Sequence, residues 1–547
     1  MPAAPMNEAK PLTLRAVTPY VLAALLLSMG PYLAAWLFPP DGMQFTGALV
    51  NHNDISVYLS ALRQGAAGGW LYQLTFAPEP WQPRLMLLFY MLAGKLLPPV
   101  NGYYPIFFNL LQAVGVMAAS LALLAWVRTA LPQRLRQQRT AFLLILFGGG
   151  LGWLAWPLLA ARVPGVFFLL PDIGSSELTA VTIFMGPAHF SFGLALELLL
   201  FVCVIRMTPP PRGLLWASAA ALLALALAMT YVYHIATVIL VIGAYLLLLT
   251  WRQRRIPWRL WGYGALIWGP LLPLLYYYGV WLNQEAVWLA YTQSAANQIP
   301  PPPWWAMLLG VGLPGALALL GGWKWLKDGQ PPLVLVWFLV NLLAIYLPGI
   351  SNSARLMMGW IAPLGTLAAY GLEEVVLPWY ARRRAAQRWS PAAARRLILW
   401  MVFPVVLMMP LVRAASAFVQ AEYPFYLPAA EIAAINWLAE QTTADDLILA
   451  SYPISNYYPA VGRSRVFAGQ LGYTTDLPGK RAVIARFWDA QTAEAERAAL
   501  LRQWGVTYVY AGQYERQFMA GTVTPPGQVV YQTPEVTIYA VGGTLDE

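Results

Sequence analysis

Few side chains in this sequence could carry acid–base or phosphate chemistry, and the first of them is an aspartate. Asp54 lies in the stretch NHNDISVYLSALRQG, residues 51–65, directly after a long apolar run. A carboxylate at such a position can accept a proton from an attacking nucleophile. It can also simply begin a helix, because Asn51, Asn53 and Asp54 are all good N-cap residues and apolar residues follow at helical spacing. The sequence leaves both roles open.

An arginine is the second candidate. Arg355 lies in PGISNSARLMMG, residues 348–359, a short loop between two apolar runs. A guanidinium remains charged at a membrane boundary and pairs bidentately with phosphate oxygens, so Arg355 could hold a phosphate group. The alternative is an interfacial anchor whose charged end reaches the lipid headgroups.

Further ionisable side chains lie near the ends of predicted apolar runs, where they could bind substrate or a metal ion. They are His52, Asp172, Glu177, His189 and Glu285. For the three acids the alternative is an ordinary solvated loop residue. For the histidines, His234 included, it is a hydrogen-bonded position in the protein interior. Glu197, eight residues after His189, could be a buried partner of another polar group.

Composition excludes several other kinds of site. Cys203 is the only cysteine, so a Cys-based zinc site and a disulfide in the C-terminal part are both ruled out. Residues 416–547 contain neither His nor Cys, which excludes a Ser/His/Asp or Cys/His triad there. GYTTDLPGKR departs from a phosphate-binding loop, because six residues separate Gly472 from Gly479 and Arg481 stands where Ser or Thr is needed.

The chain that must position these groups has the composition of a membrane protein. Apolar residues make up 59% of the 547 residues and charged residues only 11%. Apolar runs of about 18 to 25 residues recur between residues 16 and 415, and each is long enough to cross a hydrocarbon core. They predict about eleven spans. The first is too long for the apolar part of a signal peptide, so we expect it to remain as an anchor.

The positions of Lys and Arg predict the orientation of these spans, since basic residues gather in short cytoplasmic loops. Six such loops carry Lys10 and Arg15; Arg128, Arg134, Arg136 and Arg139; Arg206 and Arg212; Arg252, Arg254, Arg255 and Arg259; Lys324 and Lys327; and Arg382, Arg383, Arg384, Arg388, Arg395 and Arg396. The N-terminus is therefore predicted to be cytoplasmic and, with an odd number of spans in the cell membrane, the C-terminal part exported. The net charge of +10 follows from this topology and does not indicate nucleic-acid binding.

Two domains are predicted. Residues 1–415 form the transmembrane domain, with a long first exported loop at 38–102 that contains two surface helices, 55–67 and 84–97. Residues 416–547 alternate helical and strand patterns, including the strands DLILASY and RSRVFAG, and predict a small exported α/β domain.

This layout resembles the GT-C superfamily of membrane glycosyltransferases, which includes protein mannosyltransferases, aminoarabinose transferases of lipid A and oligosaccharyltransferases. The resemblance is carried by Asp54 in a long first exported loop, the two surface helices, about eleven spans and the C-terminal α/β domain. It implies that a sugar is moved from a polyprenyl-phosphate-linked donor to a glycan, lipid or protein acceptor on the exported face. It also implies that Asp54 is the catalytic carboxylate and that Arg355 holds the carrier phosphate.

The chain departs from the family pattern in one respect. Many members carry paired acids in the first loop, whereas Asn53 and Ile55 flank Asp54 here. The need for a divalent cation, Mg²⁺ or Mn²⁺, therefore remains open. Two other functions stay in view, a transporter or flippase of lipids or solutes and a non-catalytic membrane assembly protein. A transporter would be expected to show inverted repeats, and no repeat is evident in the sequence.

Overall fold

The computed structural model describes most of the chain as helices joined by short loops. The described residues are 11–99, 103–132, 134–209, 211–294, 298–348, 352–383, 390–519 and 523–541. Lys10, Arg384 and Arg388 of the predicted cytoplasmic loops lie outside these ranges, as do residues 349–351 of the loop that carries Arg355.

Within the described ranges, eight helices are long and apolar enough to cross a membrane. They are Leu14–Leu37, Tyr104–Ala130, Leu135–Leu159, Ala188–Met207, Gly213–Thr230, His234–Gln253, Trp304–Lys327 and Pro391–Gln420. Trp258–Trp268 and Leu271–Gln284, which meet at a bend of 45°, raise the count to nine if they form one broken span. The predicted multi-pass α-helical membrane fold is confirmed.

Within the described ranges, the number of helices that could span a membrane by length and composition is lower than the eleven predicted spans. The reason is that two apolar runs form short regular helices. Leu333–Ile345 has 13 residues and Ile361–Gly371 has 11. The second continues through a π-helical turn, Leu372–Val376, into the helix Leu377–Arg382. A sequence pattern that reports only apolar length does not reveal such a change of helix type.

The described chain forms two compact units. The first consists of Met1–Pro31, Leu110–Tyr278 and Ile299–Arg413, and the second of Tyr32–Asn109, Gly279–Gln298 and Ala414–Glu547. In the first unit, glycines let helices pack with their backbones in contact. A Cβ added at Gly321 would lie 1.8 Å from the Leu367 carbonyl oxygen, so the helix that contains Gly321 could not approach so closely with a larger residue there.

The second unit contains a five-stranded mixed sheet, and the predicted α/β fold of the C-terminal part is confirmed. In sheet order its strands are Arg465–Val466, Leu447–Leu449, Tyr508–Ala511, Thr537–Ala540 and Gln528–Gln532. The first three strands are parallel and the last two pair antiparallel. Helices Ala429–Gln441, Leu477–Trp488 and Glu494–Trp504 accompany the sheet and contribute apolar residues to its two cores.

The first loop belongs to the same unit as this sheet. Met43–Phe45 pairs antiparallel with Tyr426–Pro428. The carbonyl oxygens of Thr75 and Phe76 accept hydrogen bonds from the backbone N–H groups of Val466 and Gly469, at 3.0 and 3.1 Å. Backbone pairing thus joins segments that are several hundred residues apart in the sequence. The domain boundary predicted after residue 415 stays a prediction, and the change of unit at Ala414 lies next to it.

Both predicted surface helices of the first loop are present, with altered ends. The first spans His52–Ala66 and the second only Leu88–Gly94. Leu87 precedes the second helix with φ 51°, a left-handed conformation that a continuous helix does not allow. The two helices pack closely, since a Cβ added at Gly65 would lie 2.1 Å from the Met91 carbonyl oxygen.

Candidate functional site

Asp54 lies in the first turn of the helix His52–Ala66. The N-cap of this helix is Asn51, with φ 54°, and its side chain makes no capping hydrogen bond. Asp54 is the third helical residue, and its backbone N–H donates to the Asn51 carbonyl oxygen at 2.9 Å. Asp54 is therefore not the N-cap residue, although its carboxylate lies at the positive end of the helix dipole.

The Asp54 side chain is partly buried and is held by a glutamine of the C-terminal part. Gln470 Nε2 donates to Asp54 Oδ1 at 2.9 Å. Gln470 is only 4% exposed, and its Oε1 accepts the backbone N–H groups of Gly472 and Tyr473, at 2.6 and 2.8 Å. No local pattern in the sequence points to Gln470, because 416 positions separate it from Asp54.

A tyrosine and an arginine lie beside this carboxylate. The Tyr452 hydroxyl donates to Asn53 Oδ1 at 3.3 Å, and the Arg481 guanidinium carbon lies 4.4 Å from the centre of the Tyr452 ring. Burial, with a smaller contribution from the Asp54 charge, raises the pKa of Tyr452 to about 12 in spite of Arg481. The hydroxyl therefore keeps its proton at neutral pH.

A second group of polar side chains surrounds Arg355 in the first unit. Its Nη1 lies 3.5 Å from Glu177 Oε1 and donates to the Tyr231 hydroxyl oxygen at 3.4 Å. The Tyr231 hydroxyl in turn donates to Glu177 Oε1 at 3.2 Å. The guanidinium carbon lies 4.7 Å from the centre of the Tyr233 ring, a cation–π contact.

Arg355 is partly buried, with 14% of its side chain exposed, and it remains charged. Burial alone would lower the pKa of its guanidinium, but Tyr233, Tyr231 and Glu177 together outweigh burial and keep that pKa above its usual value. Its buried Nε–H has no hydrogen-bond acceptor among the described residues. One donor of the guanidinium is thus available to a ligand.

The structure brings three predicted site residues together in this cluster, Arg355, Glu177 and His189. The His189 ring packs against the Tyr231 ring, with 5.6 Å between their centres. Tyr231 and Tyr233 were not predicted as site residues. The signal in the sequence was two tyrosines in TYVYHI, at the turn between two apolar helices.

Asp172 is fully buried and separate in role from the Arg355 cluster. Its Oδ2 accepts the backbone N–H of Gly152 at 2.8 Å, at the start of the helix Gly152–Leu159. Burial raises the pKa of Asp172 to about 7. The solvated-loop alternative is wrong for Asp172 and for Glu177, which is 3% exposed, since both lie inside the protein.

Glu285 and His52 each contact another side chain of the second unit. Glu285 forms an ion pair with Arg84, whose guanidinium carbon lies 5.2 Å from the centre of the Trp281 ring. The His52 ring lies 6.3 Å from that of Phe425, centre to centre. In the first unit, Glu197 has the buried partner expected for it, because its Oε2 lies 2.9 Å from His234 Nδ1.

The donor atoms needed for a metal ion do not come together within the described ranges. Nowhere in them do three His, Cys, Asp or Glu side chains cluster. The Asp54 carboxylate accepts a hydrogen bond from an amide, that of Gln470. These residues do not fit a cation held by several protein ligands.

The first unit contains a narrow, mainly apolar cleft. One of the residues that line it, Leu178, directly follows Glu177 in the sequence. Its walls are Leu144, Gly148, Gly149, Leu178, Thr179, Gly310, Val311, Pro314, Ile361, Leu364 and Gly365. Four of these are glycines, and the missing side chains leave room between the helices. Thr179 carries the only polar side chain among these lining residues.

No family model and no curated protein sequence matches this chain, but solved structures do. ArnT from Cupriavidus metallidurans bound to undecaprenyl phosphate is 15% identical, with a TM-score of 0.51 over 97% of this chain and 99% of that one. AglB from Archaeoglobus fulgidus, an oligosaccharyltransferase in complex with an inhibitory peptide and a dolichol-phosphate, is 12% identical, with a TM-score of 0.54 over 90% of this chain and 69% of that one. The fold is that of the GT-C membrane glycosyltransferases.

A third GT-C structure, the mycobacterial arabinofuranosyltransferase AftD, agrees. It is 13% identical, with a TM-score of 0.54 over 98% of this chain, and this chain spans 40% of AftD's length. Identities of 12 to 15% make the relationship to these GT-C structures distant, and the similarity is one of fold.

Proposed function

We propose that this protein is a membrane glycosyltransferase that moves a sugar from a polyprenyl-phosphate-linked donor to an acceptor on the exported face of the membrane. The observation that carries the proposal is the GT-C fold, matched along nearly the whole chain by a structure that holds undecaprenyl phosphate. A second structure of the same fold holds dolichol-phosphate. The acceptor is a glycan, a lipid or a protein.

Asp54 is proposed to act on the acceptor. As a carboxylate it can take the proton of the nucleophilic group, or orient that group, while a bond forms to the anomeric carbon of the sugar. The bond between that carbon and the carrier phosphate oxygen breaks in the same displacement, and the phosphate leaves with the bonding electrons. The hydrogen bond from Gln470 favours the ionised form of Asp54, which this role requires.

Arg355 is proposed to bind the carrier phosphate. Its free Nε–H and its long Nη1 contacts, at 3.4 and 3.5 Å, leave donors that an anionic oxygen could use. Leu178, one of the residues that line the apolar cleft, directly follows Glu177, and the cleft is proposed to hold the first part of the polyprenyl chain. The charged phosphate and the apolar chain of the carrier would then be bound by parts of the first unit that are adjacent in the sequence.

The test uses purified full-length protein in nanodiscs with a panel of polyprenyl-phosphate-linked sugars and candidate acceptors. We expect wild type to transfer sugar, and Asp54→Asn to lower the transfer rate by about 10²- to 10⁴-fold. The Asn side chain can still accept from Gln470, so folding and binding of undecaprenyl phosphate should be preserved.

Two results would contradict the proposal. Transfer by Asp54→Asn at the wild-type rate would remove Asp54 from the catalytic role. Flipping of lipid or uptake of solute by the wild-type protein in liposomes, without transfer to any acceptor, would favour the transporter alternative.

A further inference from the structure

Gln470 has an amide whose orientation is determined by its surroundings. Two backbone N–H groups, those of Gly472 and Tyr473, point at one end of the amide, at 2.6 and 2.8 Å. Both are donors, so the atom that they face must be the carbonyl oxygen. The amide NH₂ is therefore directed at Asp54 and can only donate.

This orientation favours the ionised state of the aspartate over the protonated one. Asp54 Oδ1, 2.9 Å from Gln470 Nε2, must act as an acceptor and cannot carry a proton on its side facing the amide. A hydrogen bond to the charged form of a carboxyl group favours that form. It also restricts the rotation of the Asp54 side chain.

The loop that carries Gln470 is itself held in place. The Gln470 carbonyl oxygen accepts the backbone N–H of Thr474 at 3.0 Å, and Thr474 Oγ1 accepts that of Gly469 at 3.1 Å. Thr474 Oγ1 also donates to the carbonyl oxygen of Phe76, in the first loop, at 2.8 Å. The loop also packs closely on Tyr291, since a Cβ added at Gly472 would lie 2.9 Å from the Tyr291 ring and the ring would have to shift.

We propose that Gln470 is a positioning residue for sugar transfer, which keeps the Asp54 carboxylate ionised and in one orientation. The C-terminal part of the chain would then control the protonation of a carboxylate in the first loop. This inference rests on the proposed function of Asp54. It assigns to Gln470 no contact with substrate.

The decisive variant is Gln470→Glu, which has nearly the same shape. One carboxylate oxygen can still accept from Gly472 and Tyr473, while the other now faces Asp54 with a negative charge. A neighbouring negative charge favours the protonated form of a carboxyl group, so Asp54 would lose its proton at a higher pH. We expect the acid limb of the kcat–pH profile to move upward by about one pH unit, with little change in the KM for the donor.

Gln64→Glu is the matched control. Gln64 lies on the same helix as Asp54 and its amide is bonded in a similar way, since Oε1 accepts the backbone N–H of Gln73 at 2.7 Å and Nε2 donates to the Gln73 carbonyl oxygen at 2.8 Å. Gln64 Nε2 also donates to Ser60 Oγ at 3.2 Å. We expect Gln64→Glu to lower thermal stability and to leave the acid limb of the kcat–pH profile unchanged.

A second measurement reports the protonation of Asp54 without any need for activity. A water-soluble carbodiimide modifies protonated carboxyl groups. The folded full-length protein is modified at a series of pH values and then digested, and mass spectrometry of the peptides measures modification of Asp54. The midpoint should lie higher in Gln470→Glu than in wild type and in Gln64→Glu.

The outcomes separate the two proposals. If wild type transfers sugar and Gln470→Glu shifts neither the pH profile nor the modification midpoint, the positioning role is rejected and the proposed function stands. If wild type transfers sugar from no donor while the modification midpoint shifts, the proposed function fails and the control of Asp54 by Gln470 stands.

Discussion

At the scale of single residues, Arg355 and Glu177 share one hydroxyl group between them. Tyr231 accepts from the arginine and donates to the glutamate, and this relay holds the two charges 3.5 Å apart rather than in a closer bidentate pair. A partly buried pair with such long contacts leaves the guanidinium able to change partners. A phosphate ligand would thus compete with Glu177 for Arg355.

This competition predicts opposite effects for two substitutions. Arg355→Lys lacks the planar group and the Nε–H, so its affinity for undecaprenyl phosphate should fall by about tenfold or more. Glu177→Gln keeps an acceptor for Tyr231 and removes the competing charge, so its affinity should be equal to or several-fold above that of wild type. Titration of the detergent-solubilised variants with undecaprenyl phosphate, followed by tryptophan fluorescence, measures both. Equal weakening in the two variants would show that the ion pair itself forms the binding site.

At the scale of elements, Asp172 and Gly152 join a short loop to the start of a helix. The carboxylate takes the place of a capping side chain and accepts the N–H of the first residue of Gly152–Leu159. A Cβ added at Gly152 would lie 2.2 Å from Asp172 Oδ1. The close approach leaves no space for a methyl group.

Gly152→Ala is therefore expected to lower the free energy of unfolding by about 1 to 3 kcal/mol. Gly262→Ala is its control, because an added Cβ at Gly262 meets no atom within 4 Å and alanine favours helix there. Thermal unfolding of both variants in the same detergent measures the difference. If the Gly152→Ala protein is as stable as the Gly262→Ala protein, Asp172 can move away from the added methyl group without loss of stability.

At the scale of the whole molecule, residues that are distant in sequence build the second unit. Its three segments are Tyr32–Asn109, Gly279–Gln298 and Ala414–Glu547. The first and third pair through backbone hydrogen bonds, so they must lie on the same side of a membrane. The side itself follows from the positions of the basic residues, which predict that it is the exported one.

Labelling of single cysteines checks this topology. Cys203 is buried, so Cys203→Ser provides a background without cysteine, and Gln491→Cys and Gln253→Cys each add one exposed site. On intact cells, a membrane-impermeant maleimide should label Gln491→Cys and should reach Gln253→Cys only after the membrane is made permeable. The reverse pattern would invert the predicted orientation, and labelling of both sites on intact cells would place Gln253 and Gln491 on the same side.

The sequence by itself determined the properties that depend on neighbouring residues. Apolar length predicts the membrane helices, alternation of apolar residues predicts the strands of the C-terminal part, and helical spacing after Asn51 predicts the helix that carries Asp54. Residue type and position beside apolar runs marked Asp54 and Arg355 as candidates, since ionisable groups are costly close to a membrane, and the resemblance to GT-C enzymes implied their roles.

Only the tertiary structure decided how the polar groups are paired. The partner of Asp54 is 416 positions away and that of Arg355 is 178 positions away, and no local pattern encodes such distances. The burial of Asp172 and Glu177, which their loop sequences suggested would be solvated, likewise depends on the packing of distant helices. Periodicity describes which face of an element is apolar, whereas the path of the whole chain determines which polar side chains meet.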